Sequence, residues 1–448
     1  MPSSSPLSFP QNLIAKLPQP LARYAEAGFR LFSGKSARLG YLAALEQGEI
    51  SIANFLAALI LARAVDPTEF GVYAVGFLMT RFVRAIQDGL TVQPINALGA
   101  PLDEANFRIY ATNTGLIQLG LACASAAAAA LIGWGLTAAG NDVAGPTVSA
   151  LWFVLLTWQL QEYLRRVFYT RNQIMASLVI STLADVVRLF LLWNWNQQNS
   201  LSGKAGLDAI AWGGLAAVAL GLWLARHYWT FRKITFWQTL RQNWKFGGWI
   251  TGGSLANWVA SELYPLLAAG LISFAAAGAY RALQNLVAPV HVLLRATDSF
   301  FTPRAARIYS ETGFQGLGRM LKIIYLVSGI PILGLLMLAS LLPEPLLRLL
   351  YGETYVAYSG GLFLMAIYYA LWYAYWPLQT AFKAIRITRP IFTANIAAIV
   401  CMFTIGVWAI QHWDVFGAIG GQALNALVIA LVLWVSWLKV TKEKDNRA

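Results

Sequence analysis

The sequence predicts an all-α, polytopic membrane protein with about twelve transmembrane helices, arranged as two six-helix lobes. Three observations predict this fold class. Of the 448 residues, 58% are hydrophobic and only 12% are charged, whereas soluble domains average about 25% charged residues. Apolar stretches of about 20 residues, the length that crosses a bilayer, recur along the chain. The 18 Trp and 18 Tyr residues are typical of proteins whose aromatic rings lie at the membrane surfaces.

Windows of this length predict twelve helices in chain order. The predicted helices are 40–63, 71–95, 109–136, 146–168, 175–196, 207–226, 247–270, 278–301, 320–343, 356–380, 391–411 and 415–438.

The connecting segments are too short to fold into a separate soluble domain. We expect a cytoplasmic N-terminal segment at 1–39, which lacks the features of a secretory signal. An N-terminal lobe at 40–230 and a C-terminal lobe at 247–438 are joined by a basic cytoplasmic linker at 231–246, and 439–448 form a cytoplasmic tail.

The net charge of +13 would suggest a nucleic-acid ligand in a soluble protein. Here the basic residues follow the positive-inside rule instead. Of the 33 Lys and Arg residues, 25 fall in the predicted inner segments and three in the outer loops. This bias predicts a membrane protein with both termini in the cytoplasm, and the short basic loops do not predict a nucleic-acid partner. The expected location, the bacterial inner membrane, is the one that the family resemblance described below implies.

Few residues suit metal or cofactor chemistry. The two cysteines, Cys123 and Cys401, lie in apolar segments, and the three histidines lack ligand-like spacing. No phosphate-cradling Gly-rich loop appears, so direct use of ATP is not expected. We therefore expect no metal and no cofactor.

An internal repeat relates the two lobes. Gly71-Val-Tyr73 opens the second helix, and Gly278-Ala-Tyr280 opens the eighth. A second pair of segments shares a Gln, a base four residues later, and Thr-Arg nine and ten residues later: Gln161, Arg165, Thr170 and Arg171 against Gln379, Lys383, Thr388 and Arg389. Because six is even, the two lobes share one orientation and relate by an axis along the membrane normal.

Charges within the predicted helices are the candidate functional residues, since each costs about 2.5–3.5 kcal/mol at the bilayer centre. Arg81, Arg84 and Asp88 lie at i, i+3 and i+7, on one helix face. Because there is one acid beside two bases, this helix face has a net positive charge. The planar guanidinium group, with its fixed set of donors, is suited to binding phosphate. A second stripe on helix eight contains Arg281, Asn285, Arg295 and Asp298.

Acidic and paired residues give a second set of candidates, which could be structural ion pairs or ion-coupling groups. Asp185 and Arg188 are spaced i, i+3 as a self-contained pair. The others are Glu46 and Glu49 on helix one and Glu262 beside Pro265 on helix seven. The aromatic run at 368–376 could stack on sugar rings or simply fill the bundle.

Several short motifs resemble the polysaccharide transporters, the Wzx-type flippases. Residues 62–73 (Ala-Arg-Ala-Val-Asp-Pro-Thr-Glu-Phe-Gly-Val-Tyr) resemble their first outer loop. Residues 245–249, 278–282 and 350–355 are similar to family patterns before helices seven, eight and ten. The motifs are individually degenerate, and their order and spacing over about 40–440 carry the resemblance.

The resemblance implies transport of a polyprenyl-pyrophosphate-linked oligosaccharide across the inner membrane by alternating access. Membrane lipid, this substrate and other polysaccharide assembly proteins would then be the partners. In the superfamily of oligosaccharide flippases and multidrug exporters, lumen bases are held to bind the pyrophosphate. The resemblance assigns that role to Arg81 and Arg84 first, then to Arg295 and Arg281. The acids of helix one, Glu46 and Glu49, depart from this basic pattern.

Two alternatives remain open at this point. A cation-coupled drug or metabolite exporter of the same superfamily would use Glu46, Glu49, Asp88 and Glu262 as ion sites. A membrane polysaccharide polymerase or ligase would use the same lipid-linked donor. Such enzymes carry reactive groups in sizeable outer loops, and the predicted outer loops here are short, so we expect no enzymatic activity.

Overall fold

A computed structural model describes residues 35–231, 233–385 and 387–445. Within these ranges, side chains are not described at 35–39, 292, 295–300, 302–303, 306 and 443–445. Most of the predicted N-terminal segment therefore lies outside the described residues.

The described chain is helical throughout. The first lobe contains α1 (Lys35–Ala64), α2 (Pro67–Gln87), α3 (Glu104–Ala138), α4 (Ala144–Thr170), α5 (Ile174–Gln197) and α6 (Gly203–Leu224). The second contains α7 (Phe236–Glu262), α8 (Tyr264–Leu271), α9 (Phe274–Leu286), α10 (Pro289–Leu341), α11 (Pro343–Tyr351), α12 (Gly360–Ala384), α13 (Arg389–Cys401) and α14 (Val407–Asp445).

Two long helices continue across a break between membrane passes: α10 contains two passes, and α14 contains the end of the eleventh pass and the whole of the twelfth. The backbone of α10 turns at Gly313, where φ is 62°, and that of α14 turns at Asp414, where φ is 48°. With these breaks, the described helices supply the twelve predicted passes, and the all-α polytopic fold is confirmed. Within the described ranges, six helical stretches are long and apolar enough, by length and composition alone, to cross a membrane.

Packing separates the helices into two groups. In the first lobe, α4 packs against α3 and α6, and α5 packs against α1 and α6. In the second, α12 packs against α10 and α14. The lobes meet mainly through α2, which packs on α9 near its beginning and, through the π-helical turn Asp88–Val92, on α7 near its end.

The seventh helix begins earlier than composition predicts. α7 starts at Phe236, within the segment expected to be a linker, and it ends at Glu262, where α8 takes over with Pro265 in its first turn. Polar and charged residues such as Arg241 and Lys245 lower the hydropathy of this region. They are nevertheless good helix formers, so the helix continues beyond the apolar core.

The outer-loop motif of the sequence is a helix start. The Asp66 side chain accepts hydrogen bonds from the backbone N–H groups of Thr68 and Glu69, and Pro67 occupies the first turn. The Glu69 carboxylate accepts a 2.6 Å hydrogen bond from the backbone N–H of Gly203, which ties α2 to the start of α6.

The repeat-related glycines lie at the contact between the lobes. A Cβ atom on Gly71 would lie 1.8 Å from the carbonyl oxygen of Phe274, and one on Gly278 would lie 2.4 Å from that of Pro67. Phe274 precedes Gly278 by four residues, as Pro67 precedes Gly71, so the contact is reciprocal. The two helices therefore approach closely because neither has a side chain at these positions.

Other cross-lobe contacts cluster at the same end of α2. Arg63 donates hydrogen bonds to the backbone carbonyls of Leu349 and Leu350, at the end of α11. The rings of Phe70 and Tyr355 meet edge to face, with centroids 6.2 Å apart. The lobes are thus joined at this face, which we call the outer face. The opposite, Arg- and Lys-rich face is called the basic face.

We predict that Gly71→Ala lowers the free energy of unfolding by about 1–3 kcal/mol, because the new methyl group meets backbone rather than a movable side chain. Thermal unfolding in detergent, followed by size-exclusion chromatography, measures the change. The matched control is Gly120→Ala in α3, where a Cβ atom meets nothing within 4 Å. Equal stability of the two variants would contradict the close lobe contact.

Candidate functional site

Arg81 and Arg84 extend from the same region of α2 toward different lobes. Arg81 Nη1 lies 3.4 Å from the Glu262 carboxylate of α7, in the second lobe. Arg84 Nη2 lies 3.1 Å from Glu162 of α4, in its own lobe, and Arg84 Nε lies 3.9 Å from Asp88. The shared helix face predicted for these residues therefore serves two separate clusters.

Glu162 is the centre of the cluster in the first lobe. This carboxylate is 2% exposed and accepts hydrogen bonds from Arg84 (3.1 Å), Arg165 (2.5 Å) and Arg166 (2.7 and 2.9 Å). The Arg84 guanidinium also lies over the ring of Trp158, 5.7 Å from its centroid. Three guanidinium groups converge on one buried carboxylate.

Glu46 of α1 is held by four donors and is fully buried. It accepts from Arg165 Nε (2.8 Å), the Tyr169 hydroxyl (2.5 Å), and the hydroxyls of Ser177 (2.8 Å) and Ser181 (2.7 Å). Arg165 bridges Glu46 and Glu162, so this network joins α1, α4 and α5. A carboxylate with this many donors is a structural tie within the lobe.

Arg165 and Arg166 are functional residues that the sequence analysis did not include among its candidates. Both fall within the predicted helix 146–168, and the structure places them in α4, which continues to Thr170. The signal was present in the sequence: Glu162 is the sole acid between residues 144 and 170, and the two bases follow it at i+3 and i+4. The repeat-related base Lys383 is exposed at the end of α12, so the second lobe has no matching tie at this position.

Asp185 and Arg188 form an ion pair on α5, with Arg188 Nη2 2.8 Å from Asp185 Oδ1. Arg188 Nη1 also donates to the Asn54 side chain of α1 at 2.9 Å. Glu49 interacts with the Asp185 carboxylate. Its Oε2 atom is buried without a hydrogen-bond partner among the described residues. Two carboxylates therefore share one guanidinium.

A second charged cluster lies between the lobes. Its members are Arg81 of α2, Glu262 at the end of α7 and Arg281 of α9. Arg281 Nη1 donates to Gln284 at 2.7 Å, and its guanidinium lies 5.4 Å from the centroid of the Phe77 ring. The charges of Arg81 and Arg281 repel each other, and both interact with the Tyr369 hydroxyl. We call Arg81, Glu262, Arg281 and Tyr369 the interlobe cluster.

The interlobe cluster has one carboxylate for two guanidinium groups. Among the described residues, Arg281 forms no salt bridge, so Glu262 neutralises only one of the two bases. The Arg81 side chain is 33% exposed. Because α2 packs against helices of both lobes, Arg81 lies where the lobes meet. The four described residues of the cluster carry a formal charge of one positive unit.

Aromatic residues of α12 adjoin the interlobe cluster. The rings of Tyr369 and Trp372 lie 5.6 Å apart, and those of Trp372 and Trp376 lie 5.3 Å apart. His291 of α10 contacts the rings of both Tyr369 and Trp372. The aromatic run in the sequence thus forms one continuous wall beside the charges.

Two of the predicted site residues, Arg295 and Asp298, fall in α10. Their side chains lie outside the described residues. Among the residues whose side chains are described, no group of three or more His, Cys, Asp and Glu side chains is arranged to hold a metal ion.

Residues 60–359 match the model of the polysaccharide biosynthesis protein family, and the chain belongs to that family. A search of curated protein sequences finds no match. The match confirms the resemblance to the polysaccharide transporter family that the sequence motifs predicted.

Solved structures with a similar fold belong to the MOP superfamily of transporters. An inward-facing multidrug-resistance transporter of the MATE family has a TM-score of 0.70 at 14% identity, covering 89% of this chain and 96% of that one. The lipid II flippase MurJ, in an inward closed conformation, has a TM-score of 0.65 at 12% identity, with 88% and 86% covered. A Pyrococcus furiosus transporter, described as having a binding pocket of reverse polarity, has a TM-score of 0.58 at 13% identity, with 92% and 97% covered.

We predict that Glu162→Gln lowers the free energy of unfolding by about 3–5 kcal/mol, because three guanidinium groups lose their buried counter-charge. Chemical denaturation in detergent micelles measures the loss. Glu104→Gln is the matched control: Glu104 also pairs with two arginines, Arg108 and Arg171, but is 51% exposed. Its loss should change stability by only about 0–1 kcal/mol. Similar losses of stability for both variants would show that burial of the Glu162 cluster does not strengthen its contribution to the free energy of unfolding.

Proposed function

We propose that this protein is a flippase that moves a polyprenyl-pyrophosphate-linked oligosaccharide, a precursor of cell-surface polysaccharide, across the bacterial inner membrane by alternating access. The charge of the interlobe cluster carries the proposal. Arg81 and Arg281 come from different lobes, and the cluster contains a single carboxylate, Glu262, whose salt bridge is to Arg81. A pyrophosphate supplies the missing negative charge and offers the oxygen pairs that guanidinium groups bind best.

Family membership supports the substrate class, since the matched family is one of polysaccharide biosynthesis. The aromatic wall of α12 provides apolar ring faces on which sugar rings can stack. The Tyr280 hydroxyl and the indole N–H of Trp376 are buried donors without a protein partner among the described residues. A saccharide carries hydroxyl oxygens that accept such hydrogen bonds.

Arg84 has a different role in this proposal from the one expected from sequence. It already pairs with Glu162 and Asp88, within a cluster that ties its own lobe together. Arg81 and Arg281 are therefore the proposed pyrophosphate ligands. Arg84 is proposed to hold the C-terminal part of α2 against α4.

The orientation is part of the same proposal. We assign the basic face to the cytoplasm because Lys and Arg concentrate in its short loops, as the positive-inside rule requires. In this orientation both termini are cytoplasmic. The contacts at the outer face then lie on the periplasmic side, and the interlobe cluster is proposed to bind substrate that enters from the cytoplasmic leaflet.

We predict that Arg81→Gln/Arg281→Gln slows flipping by at least about 10-fold, because two charge-assisted hydrogen-bond donors to the pyrophosphate are lost. Purified protein is reconstituted into liposomes with a fluorescent polyprenyl-pyrophosphate saccharide. A membrane-impermeant quencher then reports outer-leaflet label. Arg307→Gln/Arg348→Gln removes the same charge at two exposed positions and should flip normally.

Two results would reject the proposal. The first is no protein-dependent flipping by wild type when a control flippase is active in the same vesicles. The second is unaltered flipping by the cluster variant. Lengthening or transfer of the saccharide without translocation would identify a polymerase or ligase instead.

A second candidate function, cation-coupled export, is favoured by one observation. Glu49 has an unpartnered carboxylate oxygen beside Asp185, and like charges in contact are eased by binding a proton or cation. We propose Glu49 as the coupling residue in either transporter. Glu46, saturated with donors, is proposed to be structural.

We predict that Glu49→Gln makes transport independent of an imposed pH gradient, because the amide cannot exchange a proton. The same liposomes, with and without a gradient, measure the ratio of the two rates. Glu104→Gln, at the basic face, should keep the wild-type ratio. A variant Glu49→Gln that responds to the gradient as wild type does would exclude this coupling site.

A further inference from the structure

The beginning of α7 carries an unusual concentration of positive charge. From residue 209 to residue 261 the sequence contains no Asp or Glu. The same stretch contains five bases: Arg226, Arg232, Lys233, Arg241 and Lys245. Arg241 and Lys245 are exposed on α7 at the basic face, and in the described part of the chain neither forms a salt bridge. This surface is therefore complementary to an anion.

An apolar groove of about 530 Å³ lies beside these bases, lined by Leu90, Trp237, Leu240, Arg241 and Trp244. Trp237, Arg241 and Trp244 are spaced i, i+4 and i+7, on one face of α7. The two indole side chains are 77% and 58% exposed. The groove thus combines apolar side chains with neighbouring positive charges. Exposed Trp side chains of this kind are typical of the membrane–water interface.

The groove is held firmly between the lobes. Asn243, which is fully buried, donates to the backbone carbonyl of Leu90 at 2.9 Å and accepts from the Tyr110 hydroxyl at 2.8 Å. A Cβ atom on Gly247 would lie 1.7 Å from the carbonyl oxygen of Gly89. The π-helical turn of α2 and the start of α7 therefore form one fixed wall.

We infer that this groove binds an anionic phospholipid of the leaflet at the basic face. Its acyl chain lies on Leu90, Trp237 and Trp244, and its phosphate contacts Arg241 and Lys245. Basic pockets between transmembrane helices suit anionic headgroups, because the phosphate meets cations while the chain stays in an apolar environment. The lipid would bridge α2 of one lobe and α7 of the other, away from the interlobe cluster.

Native mass spectrometry of the delipidated, detergent-purified protein tests this site. Phosphatidylglycerol and phosphatidylcholine with identical acyl chains are titrated separately. Wild type should bind phosphatidylglycerol about 10-fold more tightly, and Arg241→Gln/Lys245→Gln should abolish that preference. Lys439→Gln/Lys442→Gln removes the same charge from the exposed C-terminal part of α14 and should keep the preference. Trp237→Ala/Trp244→Ala should weaken the binding of both lipids.

Three outcomes would overturn the inference. Equal affinity of wild type for the two lipids would show that the basic residues do not recognise the anionic headgroup. An equal loss in the α14 variant would make the effect one of net charge. Displacement of phosphatidylglycerol by undecaprenyl phosphate at equimolar concentration would assign the groove to the polyprenyl carrier rather than to a phospholipid.

Discussion

The structure depends on one constraint: a charged side chain within a bilayer needs a counter-charge, a set of hydrogen bonds or water. In the first lobe this constraint is met internally, since Glu46, Glu162 and the arginines around them satisfy one another across α1, α4 and α5. Between the lobes, among the side chains that the structure describes, Glu262 is the single carboxylate beside Arg81 and Arg281, and its salt bridge is to Arg81. The first arrangement fixes a scaffold, and the second leaves a place for a ligand.

The two arrangements give α2 a central position. Its outer end is pressed against α9 at Gly71 and Gly278, and its inner end against α7 at Gly89 and Gly247. Between these contacts it presents Arg81 to the second lobe and Arg84 to the first. A relative movement of the lobes would therefore change the surroundings of Arg81 while leaving those of Arg84 intact, which agrees with the proposed roles of Arg81 as a substrate ligand and Arg84 as a structural residue.

The fold could be predicted from sequence because apolar length and the bias of basic residues act locally. The candidate site could be predicted only in part. Spacing placed Arg81 and Arg84 on one face but could not show that neighbouring helices draw them apart. Arg165 and Arg166 fall within the predicted fourth helix, 146–168, but sequence alone could not show that both bind the buried Glu162 carboxylate. The matched glycines indicated a repeat, and only packing shows that they touch.

The most direct test of the central claim is the position of the substrate phosphates. A cryo-electron microscopy structure of the protein in nanodiscs with a polyprenyl-pyrophosphate saccharide would locate them. We expect pyrophosphate density between Arg81 and Arg281, with Glu262 displaced from Arg81 and the saccharide against Trp372. Pyrophosphate bound by Arg84, Arg165 and Arg166, with the Arg81–Glu262 pair unchanged, would contradict the division between structural and ligand-binding charges.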